Sequence, residues 1–172
     1  MALVLDATAG GAAANSYATV AEAGDYHLGH LYASAWTGAS AATKDAALVM
    51  ATRLLDTLVE WDGWVVTETQ ALLWPRSGML YRNGYSVPSN VVPIDLKRAT
   101  SELARLLIVA DLTAESDVEN QKLKSLTAGP VRLEFGDGVT VKRIPDSVWA
   151  LLPPGWGLVR SRDNGMRTTV RA

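Results

Sequence analysis

Apolar residues in the first two thirds of the chain recur at helical rather than strand spacing, and three helices follow from that pattern. Thr19 and Glu22 have the form of a capping box, which satisfies orphan amides at a helix start, so a first helix is expected from Val20 to about Ala33. Ala47, Leu48, Ala51, Leu55, Leu58 and Val59 fall on one face of a second, from about Lys44 to Glu60. Gly63 is placed to stop it, and Trp61 and Trp64 are expected to pack back on the core. Pro93 suits a first helical turn, and Leu96, Ala99, Leu103, Leu106, Leu107 and Ala110 make the stripe of a third.

The remaining pattern is different. Residues 62–92 are rich in Gly, Pro, Asn and Ser and too long for a simple connection, so they predict a folded excursion. A short polar helix is expected over Ser116 to Leu126. Val131, Leu133 and Phe135 then alternate with Arg132 and Glu134, Gly136-Asp137-Gly138 supplies a turn, and Val139 to Arg143 returns, which predicts a hairpin over 131–143. Pro145 to Leu152 fits a last short helix before Pro153-Pro154-Gly155. The expected fold class is therefore mainly α: a helical bundle with a small β-hairpin and extended N- and C-terminal arms. Its expected divisions are a flexible arm at 1–14, a helical domain at 15–154 and a second arm at 155–172.

Composition narrows the function. With 48% hydrophobic and 20% charged residues, the 172-residue chain can bury enough surface to fold. No run of about 18 apolar residues exists to span a bilayer, and the opening residues lack the basic region of a signal peptide, so no membrane is expected. The absence of cysteine removes disulfides, thiolate nucleophiles and Cys-containing zinc sites. A net charge of -2 gives no global attraction for polyanions, so gripping nucleic acid requires a local basic patch.

Candidate chemistry is sparse. His27 and His30, with Asp25 nearby, are three residues apart on the first helix, but a metal needs further ligands and none is evident. Asp56, Glu60 and Asp62 cluster beside Arg53 without a nucleophile, metal or oxyanion site to work with. None of the glycine-containing turns joins a strand to a helix with a phosphate-binding lysine. No enzymatic activity, cofactor or metal is expected. Six tryptophans are read as core or interface plugs, against the alternative of stacking bases. Arg160, Arg162, Arg167 and Arg171 against Asp163 alone make the C-terminal arm basic: a solvated tail, an arm that docks in an acidic groove, or a contact to nucleic acid.

Several segments resemble one phage family when read in order. They are Asn15-Ser16-Tyr17-Ala18-Thr19-Val20-Ala21-Glu22-Ala23 with Tyr26; Ala47-Leu48 with Ala51 to Asp56; Trp61 with Gly63; Gln70-Ala71-Leu72 with Trp74-Pro75-Arg76; Val92-Pro93 with Ala99 and Glu102-Leu103-Ala104; and Leu151-Leu152-Pro153. Across about 140 residues the chain resembles the head-tail connector, or adaptor, proteins of tailed phages and prophages, some labelled DnaT-like single-stranded-DNA-binding proteins.

The resemblance implies a structural virion protein at the neck, present in the host cytoplasm before assembly. It would form a ring of twelve copies between the portal protein and the tail, stopper or tail-completion protein. Double-stranded DNA would pass through that ring without sequence-specific binding. Trp74, Pro75 and Arg76 would then form a clasp or intersubunit contact, with Arg76 pairing to a carboxylate such as Asp56. Val159, Arg160, Arg162, Arg167, Val170 and Arg171 would belong to an arm that docks on the portal. The alternative function is a single-stranded-DNA-binding accessory protein of replication; a small hydrolase or metal enzyme is the third class.

Overall fold

The computed structural model describes residues 3–114, 125–128, 131–134 and 143–159. Helix α1 spans Val20–Leu28, α2 Ser34–Thr37, α3 Ala41–Leu58, α4 Ile94–Val109 and α5 Asp146–Trp149. Six short strands accompany them: β1 Val59–Trp61, β2 Trp64–Val65, β3 Arg76–Ser77, β4 Ser125–Ala128, β5 Val131–Glu134 and β6 Gly157–Val159.

The centre of the fold is the packing of α3 on α4, with α1, α2 and α5 also resting on α4. The inward face of α3 buries Leu48, Ala51 and Leu55, and α4 answers with Leu96, Ala99 and Leu103. Small residues alternate with leucines on both faces, which lets the helices approach and interdigitate. Caps define the starts: Thr19 and Glu22 complete the capping box of α1, and the Ser40 hydroxyl accepts from the Thr43 amide at α3.

The expected mainly α bundle is corrected by this arrangement. Among the described residues 51 lie in these helices and 18 in strands, and the strands form antiparallel two-stranded ladders in the orders β1-β6, β2-β3 and β4-β5. The reason lies in tertiary pairing that local pattern does not carry. Val59, expected in the helix, turns extended because Val59 to Trp61 pair with Val159 to Gly157, about 100 residues later in the sequence. The first helix likewise stops at Leu28 rather than near Ala33, with Gly29 as its C-cap.

Of the hairpin expected over 131–143, only residues 131–134 and 143 are among the described ones. Val131–Glu134 pairs backward with Ser125–Ala128, so Ser125 and Leu126 are strand rather than the end of a polar helix. The expected return strand at 139–142 and the rest of that helix, 116–124, lie outside the described residues.

The described residues of both expected arms are tied to the fold. Asn15 receives the Asp6 amide on its side-chain oxygen at 2.9 Å and donates from Nδ2 to the Val4 carbonyl at 2.8 Å, while its own amide reaches the Asp6 carbonyl at 2.8 Å. The Ala71 amide donates to the Gly11 carbonyl, tying the leader to the excursion. At the other end Trp156 is buried and residues 157–159 are paired in β6, so the compact part extends past Pro154. The rest of the expected portal-docking arm, Arg160, Arg162, Arg167, Val170 and Arg171, lies outside the described residues.

Candidate functional site

The excursion between α3 and α4 is held by two side chains from one short run, Gln70 and Arg76. Gln70 accepts the Val66 and Thr67 amides on Oε1, and its Nε2 donates to the Leu72 and Pro75 carbonyls. One amide side chain thus satisfies four backbone groups that the loop's path leaves without ladder partners. Between them, Trp74 enters the core at 1% exposure across a cis peptide bond to Pro75. Its ring meets Trp61 edge-on at 5.6 Å between centroids and lies tilted against Trp156 at 4.8 Å. The Trp156 indole N–H donates to the Leu80 carbonyl at 2.6 Å, so the excursion and the C-terminal segment lock on one aromatic cluster.

Arg76 departs from the expected pairing with Asp56. Its Nε donates to the Asp62 carbonyl at 2.6 Å, Nη1 to Leu73 at 3.2 Å, and Nη2 to Trp61 at 3.2 Å and Gly63 at 2.8 Å. The planar fork, 7% exposed, gathers carbonyls from the end of β1, the turn after it and the approach to β3. Burial lowers the Arg76 pKa from its ordinary value, and the nearby Tyr17, Asp56 and Asp62 oxygens oppose the drop. Asp56 is engaged elsewhere: it accepts from the Tyr17 hydroxyl and from the Leu73 amide. Burial pushes the Asp56 carboxyl up, and burial together with the Asp56 charge pushes the Tyr17 hydroxyl well up, so Tyr17 remains a donor. Sequence reasoning singled out Trp74, Pro75 and Arg76 but missed Tyr17, Gln70 and Trp156; the signal for the first two was their place in the motifs.

The two histidines are engaged in separate contacts. His27 is buried, and its Nε2 donates to the Ser101 carbonyl at 3.1 Å; burial lowers its pKa and keeps it neutral. His30 lies 3.7 Å from Glu102, which Arg105 grips at 2.5 and 3.3 Å. Among the described residues no group of three or more His, Asp and Glu is placed to hold a metal ion. Burial by itself would raise the Glu102 pKa, but the Arg105 hydrogen bonds and charge outweigh it and hold the carboxyl below the ordinary 4.5.

The stability this pair supplies is therefore complete above pH 4.5 and is lost as pH falls through the lower folded-state value. Arg105→Met should flatten that acid loss in thermal melts. It should also cost about 3 kcal/mol at pH 7, because Glu102 is left buried and unpaired. An acid limb unchanged by the substitution would remove Glu102 as its origin.

Outside the clasp the excursion is exposed. Trp64, expected to pack inward, is 71% exposed because the left-handed Gly63 turn swings β2 off the core, and Tyr85 is 73% exposed. The Trp64 ring lies over Gly78, where a Cβ would come within 2.5 Å of it, so glycine is what lets the ring rest there. Among the described cations near these elements, Arg82 is committed to the carbonyls of Ala150 and Leu152.

Comparison with known protein families gives a match along residues 1–172 to the family described as "Putative DnaT-like ssDNA binding protein". The chain belongs to that family. No curated protein and no solved structure matches it. The clasp, the Asn15 lock and the Tyr17–Asp56 contact are thus features of a member of this DnaT-like family, and no described helix in it is long and apolar enough to cross a membrane.

Proposed function

We propose that the protein binds single-stranded DNA and catalyses no reaction. The observation that carries this reading is the family match over the whole chain. Charge supports it. Residues 122–172 hold nine Lys and Arg against four Asp and Glu, whereas residues 1–121 hold seven against fourteen. The cations that contact phosphate then belong to the C-terminal third, and the helical core is the scaffold.

An exposed aromatic, Trp64, follows the strand that pairs with Gly157–Val159. Strand β1 leads into the turn bearing Trp64 at one end, and at the other its Val59 pairs with Val159, the residue before Arg160. The two ends are about 10 Å apart for a three-residue strand. Bases stacked on Trp64 and phosphates held by arginines is an arrangement suited to a single strand of any sequence.

The test is fluorescence anisotropy of a labelled oligothymidine titrated with the full chain at several salt concentrations. Binding is expected, with log affinity falling against log salt at a slope of about -3 for four phosphate contacts. An oligothymidine that stays free at low salt would sink the reading.

A second reading, the head-to-tail adaptor of a tailed phage, is favoured by a separate observation. Leu28, Leu31 and Tyr32 form an exposed apolar group beyond α1, the kind of surface that partners cover. In that reading copies ring the DNA channel between the portal and the tail or stopper, and the acidic first 121 residues let double-stranded DNA slide past. Electron cryomicroscopy of a purified particle would show the ring at the neck or its absence.

A further inference from the structure

One face of α3 is left uncovered by the rest of the described fold. Asp45, Val49, Arg53 and Thr57 are spaced four apart and form a ridge opposite the buried face of Leu48, Ala51 and Leu55. The ridge stands between two open hollows. One, of about 470 Å³, has Ala46, Met50, Leu54, Leu3 and Thr113 in its walls. The other, of about 240 Å³, lies toward Thr52, Asp56, Ala14 and Leu72. Val49 and Arg53 border both. A ridge with a hollow on each side is the shape into which the i±4 ridge of another helix packs.

We infer that the occupant is α3 of a second copy of this chain, related by a twofold axis through Val49. The charges carry the choice. Asp45 and Arg53 lie four residues to either side of Val49, one helical turn each way. A twofold-related α3 running in the opposite sense brings each Arg53 to the other copy's Asp45, and Val49 meets its own counterpart on the axis. An isologous interface needs this self-complementary spacing, and an unrelated partner does not.

Among the described residues neither Asp45 nor Arg53 has an ion pair. The adjacent Lys44 is turned aside, with its ammonium 5.6 Å from the centre of the Trp36 ring. Val49 and Met50 are only partly buried, and Leu3 at the rim is 49% exposed, so apolar surface remains to be covered.

Analytical ultracentrifugation of the full chain tests this directly. The wild type should show a concentration-dependent dimer. Arg53→Glu and Asp45→Arg should each weaken it at least about tenfold by setting like charges opposite one another, and the double variant D45R/R53E should recover most of the loss by exchanging the partners. Val49→Glu, which places two like charges on the axis, gives an independent check. Far-UV circular dichroism should be unchanged throughout, since the ridge is not part of the core. A wild type that is monomeric up to about 100 µM, an assembly indifferent to both single reversals, or a double variant no better than the singles would each overturn the pairing.

Discussion

Replacing Trp74 with alanine is expected to destabilise the protein by about 3 to 5 kcal/mol, the range for emptying a buried aromatic site. The ring is 1% exposed and touches Trp61 from β1 and Trp156 from the C-terminal segment. Its loss therefore opens a cavity where three distant stretches of chain meet, and the rigid surroundings have little freedom to collapse into it. Trp74→Phe separates packing from polarity. The buried Trp74 Nε1 has no hydrogen-bond partner among the described residues, so phenylalanine sacrifices no bond and should cost only about 1 to 2 kcal/mol. Urea unfolding followed by circular dichroism gives both values, and near-equal losses would mean that the indole N–H has a role the packing does not explain.

The second large effect is at Arg76. Arg76→Ala should cost about 3 to 5 kcal/mol, because four carbonyls at Trp61, Asp62, Gly63 and Leu73 lose donors from one planar group. Arg76→Lys should recover less than half of that. A lysine ammonium is a compact point charge and does not span carbonyls fixed around a fork. Equal stability of the lysine variant and the wild type in the same urea experiment would contradict the geometric account. Asp56→Asn is the contrasting case. Burial raises the Asp56 pKa, so its charged form is disfavoured in the folded state. The Asp56 contribution is present at low pH and declines as pH rises through its elevated value, opposite in sign to that of Glu102.

Much of the helical frame was legible because its causes are local. Thr19 and Glu22 sit three apart at a helix start, and the stripes of α3 and α4 recur at helical steps. The strands were not legible for the converse reason. Val59 continues the helical stripe in sequence, and what draws it into β1 is a partner near the other end of the chain. Ser125 and Leu126 carried no alternation to suggest a strand, and their pairing with Glu134 and Leu133 was not foreseen.

The excursion illustrates both limits. Its length announced a folded element, and Trp74 and Arg76 within it are buried. Yet the pairing expected between Arg76 and Asp56 failed, since a buried guanidinium among backbone carbonyls satisfies more groups than one carboxylate would take. The leader was read as an arm because small residues suggest freedom. Asn15 is what fastens it, through two side-chain hydrogen bonds and one from its own amide to Asp6 and Val4, and nothing in an Ala/Gly composition reveals a clamp supplied by a neighbouring side chain.

Binding of single-stranded DNA through the basic C-terminal third is tested by comparing the wild type with a full-length variant in which Arg160, Arg162, Arg167 and Arg171 are all serine. Oligothymidine anisotropy over a salt series reads both chains. The variant should lose at least about tenfold in affinity and show a salt dependence shallower by about 3 logarithmic units per unit of log salt. Superimposable isotherms for the two chains, or no binding by the wild type at low salt, would contradict it.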